Sequence, residues 1–216
     1  MHQTTPKEQM LKKIRKALIE KRENPYPRFE ETEPIYPVNS ELLEFIFAEE
    51  FSKVNGQFIF CENEQQFSFQ FQQLIEGKKW KHLFAWDEEI QNLLTNSKIN
   101  FIPNEEQFIT NAEVGITGCE ALAARTGSIL ISTKNGAGRR LSIYPNVHIV
   151  IARTSQLKSD ISEALQFVKE KYTDKMPSML SLTTGPSRTA DIEKTLVMGA
   201  HGPKELYLFL IDEQVI

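Results

Sequence analysis

A turn near the C-terminal end of the sequence has the residue types of an anion-binding site. Residues 178–183 are short and largely apolar, which predicts a buried strand. A Gly-Pro pair interrupts that pattern, and the apolar spacing after it predicts a helix over residues 187–199. A turn that leads into a helix N-terminus presents free backbone N–H groups and the positive end of the helix dipole. An anion would be well held there.

Side chains of the same turn add to its attraction for an anion. Thr184, Ser187 and Thr189 carry hydroxyl donors beside Gly185, and Arg188 contributes a fixed positive charge. These five residues are the part of the predicted ligand site that lies in the turn, and Arg125, Arg139 and His201 are its other predicted members. A well-capped helix with a surface arginine would account equally well for the same stretch, since helix N-termini need not bind a ligand.

Glu120 is the candidate catalytic residue. It follows a predicted strand over residues 112–117, and a carboxylate at a strand end could act as a base or a nucleophile. The alternative is that Glu120 favours the N-terminus of a helix predicted over residues 120–125. Arg125 precedes a Thr-Gly turn into the next strand, where it would be either a functional cation or a rim residue.

Arg139 belongs to a glycine-containing loop over residues 135–140. Two glycines followed by paired arginines suit close approach to an anionic ligand, although a flexible hairpin with solvated arginines would have the same sequence. The loop lacks the Lys-Ser or Lys-Thr of a Walker loop and the GxGxxG fingerprint, so nucleotide binding is not supported. Without a flavin or nicotinamide fingerprint, no cofactor is assigned to this chain.

Histidines and cysteines give no metal-ligand pattern. His82 and His148 lie in strand patterns and are predicted to be hydrogen-bonded core residues, while His201 would either reach the strand-end cleft or close the turn before the last strand. No HExxH or clustered His/Cys spacing occurs, so no metal site is predicted. Cys61 and Cys119 are too few to ligate an iron–sulfur cluster and do not form a disulfide scaffold.

Composition narrows the class of protein. A chain of 216 residues with 40% hydrophobic content can bury one domain's core. A net charge of −4 without a long basic block argues against nucleic acid as a partner. No apolar run approaches the roughly 20 residues of a membrane helix, and the N-terminus lacks a signal peptide's apolar core. We therefore expect a cytoplasmic protein with reduced thiols.

An N-terminal helix and an extended arm precede the predicted domain. Residues 5–8 form a capping box with proline at the first helical position, and apolar residues then recur at helical spacing. Residues 25–37 are rich in Pro and Glu, which predicts an extended arm. The predicted boundaries are residues 1–37 for the helix and arm and residues 38–216 for the domain.

Strands and helices alternate through the domain. The other predicted helices cover residues 39–54, 64–76, 88–94 and 155–172. The other predicted strands cover residues 57–60, 81–86, 99–102, 128–132, 147–152 and 205–211. This order predicts an α/β fold with a mostly parallel sheet and helices on both faces. Ligands in such sheets bind at the carboxyl ends of strands, where the turn at Thr184 is expected.

Several of these segments resemble one protein family. Residues 184–193 followed by residues 199–206 resemble the signature of the LUD-domain family, and more narrowly its lactate utilization protein C branch. Residues 114–117, 126–128, 138–139 and 141–145 fit the same pattern in the same order, and the resemblance extends from about Asn39 to the C-terminus.

The sequence departs from this family at one position. Many members carry an acidic residue directly before the Thr-Gly or Ser-Gly pair, where this chain has Arg125. An acidic function at that position would be lost here or moved to Glu120.

The resemblance implies a fold like that of the NagB/RpiA/CoA-transferase superfamily and a role in oxidising L-lactate to pyruvate. It also implies partner proteins that carry iron–sulfur clusters, which agrees with the two cysteines here. We hypothesise that this subunit binds a small carboxylate or phosphorylated ligand with the Thr184–Thr189 turn, Arg139 and Arg188.

Two other functions are compatible with the sequence. One is a scaffold subunit whose arm docks the iron–sulfur partners. The other is a free-standing acyl- or CoA-transferase, or a ligase of the folate-cyclising type, in which Glu120 is the nucleophile or base. The number of copies is open, and a homo-oligomer is compatible with the sequence.

Overall fold

The computed structural model describes residues 5–19, 41–106, 108–134, 140–192 and 195–213. The chain divides into two compact units, Met1–Ser40 and Glu41–Ile216. The predicted arm over residues 25–37 and the predicted site residue Arg139 lie outside the described residues.

The helices and strands of the described residues are as follows. The helices are α1 (Pro6–Ile19), α2 (Leu43–Lys53), α3 (Glu64–Lys78), α4 (Glu88–Asn96), α5 (Phe108–Asn111) and α6 (Ile161–Lys171). The strands are β1 (Gln57–Cys61), β2 (Leu83–Ala85), β3 (Val114–Thr117), β4 (Ala121–Ala123), β5 (Ser128–Ser132), β6 (Val147–Arg153), β7 (Leu157–Lys158), β8 (Leu180–Thr183), β9 (Arg188–Ile192), β10 (Thr195–Met198) and β11 (Glu205–Ile211). Among these described residues, no helix has the length and apolar character needed to cross a membrane.

Helix α1 begins with the predicted capping box. The backbone N–H of Thr5 donates to Glu8 Oε2 at 2.9 Å, and the backbone N–H of Glu8 donates to Thr5 Oγ1 at 3.3 Å. These reciprocal bonds satisfy two amide groups at the helix start. The apolar residues of the helix are exposed, and they are Met10, Leu11, Ile14, Leu18 and Ile19.

The second unit is built on a five-stranded parallel sheet in the order β1-β11-β6-β3-β2. Alternate residues of a strand point to opposite faces, so both faces of this sheet are apolar. On one face Phe209 packs against Phe67 and Phe71 of α3, with ring centroids 5.4 and 5.1 Å apart. On the other face Leu208 lies in one cluster with Phe47 of α2. The predicted parallel sheet with helices on both faces is confirmed.

A second sheet, in the order β7-β4-β5-β8, covers the α2 face of the first. The pairs β4–β5 and β5–β8 are antiparallel, and β4–β7 is parallel. The predicted strand 178–183 is an edge strand of this sheet, and its residues are half-buried or exposed, because only one neighbour covers it.

Two predicted helices are wrong and a third is shortened at its start, and backbone pairing explains each. Residues 188–192 and 195–198 form an antiparallel hairpin instead of the helix predicted over residues 187–199. Two apolar residues were too few to fix a helical period there, and β-branched residues such as Thr189 and Val197 favour strands. Residues 121–123 pair with β5 before a short 3₁₀ turn, which overrides the helix propensity of the alanines.

The third case is the helix predicted over residues 155–172. Its first third forms a 3₁₀ turn and the short strand β7, while the remainder is observed as α6. That helix starts after Asp160, whose side chain accepts from the backbone N–H of Ile161. The predicted strand 99–102 is reduced to one bridge, between Phe84 and Ile102.

Two Thr-Gly turns pack against α2, one at residues 126–127 and the other at residues 184–185, and both lie in segments that resemble the LUD-domain family. Gly127 has φ +57°, and a Cβ there would lie 2.4 Å from the backbone nitrogen of Phe51. Gly185 has φ +80°, and a Cβ there would lie 2.5 Å from the Val54 carbonyl oxygen. Only glycine combines a left-handed backbone with so close an approach. Both turns therefore serve to seat α2 on the second sheet.

We predict that Gly127→Ala lowers the free energy of unfolding by about 2 kcal/mol or more, because the added methyl meets backbone at a strained φ. The matched control is Gly77→Ala in α3, where a Cβ would meet no atom within 4 Å. That change should raise the free energy of unfolding by about 0.5–1 kcal/mol. Urea denaturation measures both. Equal stability of the two variants would contradict the packing role of Gly127.

Candidate functional site

A small cavity lies at the carboxyl edge of the parallel sheet. The adjacent strands β2, β3 and β6 end side by side, and the chain after or at each end contributes Asp87, Cys119 and Arg153 to the cavity wall. The volume is about 70 Å³. Open α/β sheets bind ligands at the carboxyl ends of their parallel strands, so this cavity is a candidate ligand site.

Arg153 is the central cation of the cavity. Its Nη2 donates to Glu64 Oε1 at 2.9 Å, while its Nε lies 3.8 Å from carboxylate oxygens of both Glu89 and Glu213. The neighbouring Gln156 accepts from the backbone N–H of Arg153 at 2.8 Å and donates to the Cys119 carbonyl at 2.6 Å. These bonds tie the ends of β3 and β6 together around the cavity.

Asp87 faces the same cavity from the N-terminus of α4. Its Oδ1 accepts from the backbone N–H groups of Glu89 and Ile90 at 3.0 and 3.3 Å. Burial raises the pKa of Asp87, and the negative charges of Glu89 and Glu120 raise it further against the effect of those two hydrogen bonds. The carboxyl group of Asp87 is therefore easier to protonate than an exposed one.

Glu120 is fully buried beside the cavity and is held by three donors. Ser132 Oγ and Tyr172 Oη donate to its Oε1 at 2.5 and 3.0 Å, and Lys171 Nζ donates to its Oε2 at 2.8 Å. Burial raises the pKa of the Tyr172 phenol, as do the hydrogen bond and charge of Glu120. A carboxylate with no exposed surface offers nothing to a substrate, so this geometry suits a positioning role better than a nucleophilic one.

Lys171 connects Glu120 to the cavity, since it lines the cavity wall and its ammonium group donates to Glu120. Burial lowers the pKa of Lys171, but the hydrogen bond and charge of Glu120 raise it by more, and the pKa lies above its ordinary value. The lysine is thus kept as a cation at the cavity.

The turn at Thr184 differs from the predicted helix N-terminus. Arg188 starts a strand, and the backbone N–H of Ser187 donates to the Pro203 carbonyl at 2.9 Å. The helix-dipole contribution predicted for this turn is therefore absent from its geometry. The side-chain groups do come together, because Ser128 Oγ lies 2.7 Å from Thr184 Oγ1 and donates to Thr126 Oγ1 at 2.8 Å.

Arg188 is exposed and is fixed from one side. Its Nη2 donates to the Val54 carbonyl at 2.7 Å, a neutral partner that leaves the positive charge in place. His201 is exposed as well, and it precedes Gly202, whose Cβ position would lie 3.0 Å from Ser187 Cβ. The backbone of Thr189 pairs with that of Val197 in the hairpin.

The predicted site residues fall into two separate groups. Glu120 neighbours Ser132 at one end of β5, and Thr184 neighbours Ser128 at the other end. Four residue steps of strand place these ends about 13 Å apart. Glu120 and the Thr184 turn therefore do not form one site.

Arg125 belongs to neither group. It makes a bidentate ion pair with Asp160, with Nε and Nη2 donating at 2.8 and 3.0 Å. The hydrogen bond from Arg125 holds the pKa of Asp160 below its ordinary value. Because Asp160 caps α6, Arg125 anchors that helix.

Sequence reasoning missed the cavity residues Asp87, Arg153 and Lys171. The sequence could have indicated Asp87 and Arg153, since each directly follows a predicted strand of the parallel sheet, where ligands bind. Lys171 gave no such signal, because it is one of several lysines near the end of a helix.

Comparison with known proteins identifies the family of the chain. The LUD domain family matches residues 46–211. Lactate utilization protein C of Shouchella clausii is 30% identical over 146 residues, which are 62% of this chain and 64% of that protein. Its counterpart in Macrococcus caseolyticus is 33% identical over 135 residues, 61% of this chain and 53% of that protein. The similarity thus spans less than two thirds of these relatives.

A solved structure shows the same fold. The crystal structure of a DUF162 family protein from Deinococcus radiodurans superimposes with a TM-score of 0.58 and 16% sequence identity. The superposition covers 81% of this chain and 99% of that protein. At this level of identity the likeness concerns the fold alone.

His148 lies in β6, where it pairs with Gly115 of β3, and its burial makes the stability of the protein depend on pH. It is buried, and its Nε2 lies 2.9 Å from Thr117 Oγ1, as predicted for a core histidine. Burial lowers its pKa to about 3. Since the unfolded chain titrates near pH 6.5, the unfolded state binds the extra proton between about pH 6.5 and 3.

We predict that this histidine makes stability fall as the pH drops through that window, by about 1.4 kcal/mol per pH unit. His148→Gln, which retains an N–H donor, should remove the contribution of His148 to the dependence of stability on pH. The matched control is His82→Gln, at a partly exposed position, where the contribution of His148 is retained. Urea denaturation at a series of pH values from 7 to about 4 measures the slopes. Identical slopes for wild type and His148→Gln would contradict the prediction.

Proposed function

This chain belongs to the LUD domain family, and we infer that it acts as a subunit of a multi-protein system that oxidises L-lactate. The observation that carries the inference is the similarity to proteins named lactate utilization protein C. In the proposed system, partner proteins hold iron–sulfur clusters and carry the electrons.

The cysteines support this division of labour. Burial raises the pKa of Cys61 to about 12, and it also raises the pKa of Cys119. Cluster ligation requires thiolates, and about four of them. We place the chain in the cytoplasm, where such free thiols remain reduced.

The proposed anionic ligand, a small carboxylate or a phosphorylated compound, binds at the turn that carries Thr184 and Arg188. The support is the exposed guanidinium of Arg188, whose hydrogen-bond partner is neutral, together with the hydroxyl groups of Thr126 and Ser128 that cluster at Thr184. Guanidinium and hydroxyl groups are the donors that carboxylates and phosphates prefer. Gly185, Ser187, Thr189, Arg139 and His201 complete the proposed set.

A scaffold function is the second candidate, and α1 favours it. An exposed apolar stripe on a helix with several lysines fits a docking segment for an acidic partner protein. A ligand-free scaffold would need this helix and would not need Arg188.

We predict that Arg188→Gln weakens binding of the anion about tenfold or more, because a charge-assisted hydrogen bond is lost. Calorimetry with inorganic phosphate as the probe of the turn measures the effect. Arg15→Gln in α1 removes the same charge elsewhere and should leave affinity unchanged. Equal affinities in Arg188→Gln and wild type would exclude the turn as the binding site.

Membership of the lactate system has a separate test. The full chain should co-purify with the iron–sulfur partner proteins when they are expressed together. In the scaffold function, replacing the exposed Ile14 and Leu18 by aspartate should abolish co-purification, while Arg188→Gln should leave co-purification unchanged. Failure of the wild-type chain to associate with such partners would contradict the proposed system.

A further inference from the structure

The cavity at the carboxyl edge of the parallel sheet has room for a very small ligand. Its volume is about 70 Å³. Because one water-sized atom occupies roughly 10–15 Å³ of such space, the cavity would hold about five to seven non-hydrogen atoms. That is the size of a three-carbon acid, and it is too small for a nucleotide or a CoA ester.

The walls of the cavity carry both signs of charge. Arg153 and Lys171 supply the positive groups, and Asp87 and Glu89 supply the negative ones. A ligand matched to this surface has a carboxylate at one end and a hydrogen-bonding hydroxyl at the other. A simple inorganic anion would pair with Arg153 and Lys171 and would offer no matching group to Asp87 and Glu89.

The two cations have donors left for a carboxylate. Within the described part of the chain, Arg153 donates one hydrogen bond to Glu64 and Lys171 one to Glu120. A guanidinium carries five N–H groups and an ammonium carries three. The Nε of Arg153, at 3.8 Å from its acidic neighbours, is beyond hydrogen-bond distance from them.

The remaining walls complete the match. The Asp87 carboxyl group is held in place as the cap of α4, where it can pair with a hydroxyl group. Ile90, Leu93 and Ile151 provide an apolar floor for a methyl group. Glu120 acts as a positioning residue, since it fixes the Lys171 ammonium without reaching the cavity itself.

We propose that this cavity is a binding site for a small 2-hydroxy carboxylate, with its carboxylate at Arg153 and Lys171 and its hydroxyl at Asp87. The site is distinct from the Thr184 turn. It rests on the proposed function for the choice of L-lactate as the first member of that class.

The test is calorimetric titration of the full-length chain with L-lactate and with propionate, which lacks only the hydroxyl. L-lactate should bind, and propionate should bind about tenfold more weakly or worse. Arg153→Gln should reduce affinity for both acids at least about tenfold. Asp87→Asn, which keeps a good helix cap, should reduce affinity for L-lactate and leave that for propionate unchanged.

Arg188→Gln separates this site from the turn and should not change L-lactate affinity. Loss of L-lactate binding in Arg188→Gln with retention in Arg153→Gln would overturn the cavity site and leave the turn as the ligand site. Equal affinity of the wild type for both acids would overturn the role of Asp87 and the 2-hydroxy class. No binding of L-lactate at millimolar concentration would overturn the site altogether, while co-purification with iron–sulfur partners would still decide the proposed function.

Discussion

The burial of both faces of the parallel sheet is the constraint on which the rest of the second unit depends. β11 lies between β1 and β6, and from Leu206 to Ile211 all of its residues are buried. Such a strand cannot leave either face to water, so α3 and α4 cover one side and α2 with the second sheet covers the other. The polar residues are then confined to the ends of the strands, and the carboxyl ends gather the charged groups that form the cavity.

Apolar runs and apolar residues at helical spacing were sufficient to predict many of the strands and helices of this fold. The last strand was predicted over residues 205–211 as observed, and the helix predicted over residues 64–76 is observed as α3 (Glu64–Lys78). The prediction failed where pairing with a distant segment decides the local structure. Residues 188–192 and 121–123 became strands because a neighbouring strand was available to satisfy their backbone groups, and this neighbour is invisible in a local window of sequence.

The candidate site could likewise be predicted only where local sequence was sufficient. Glu120 was recognised as unusual from its place after a strand, yet its partners Ser132, Lys171 and Tyr172 come from 12, 51 and 52 residues further along the chain. Only topology could bring them together. The glycines of the two Thr-Gly turns are explained by contact with α2. A segment that identifies a family can thus owe its residue types to packing as much as to a ligand.

Helix α6 is fastened at both ends to the second sheet. Arg125 holds its N-terminal cap Asp160, and buried Glu120 holds Lys171 and Tyr172 at its C-terminal end. Between these ends, Ala164 and Val168 pack on Ala121 and Leu130. A helix of this length, about 16 Å, can neither slide nor turn without breaking one of the two fastenings. The wall that carries Lys171 is therefore preorganised, and a molecule entering beside it would be received with little loss of conformational entropy.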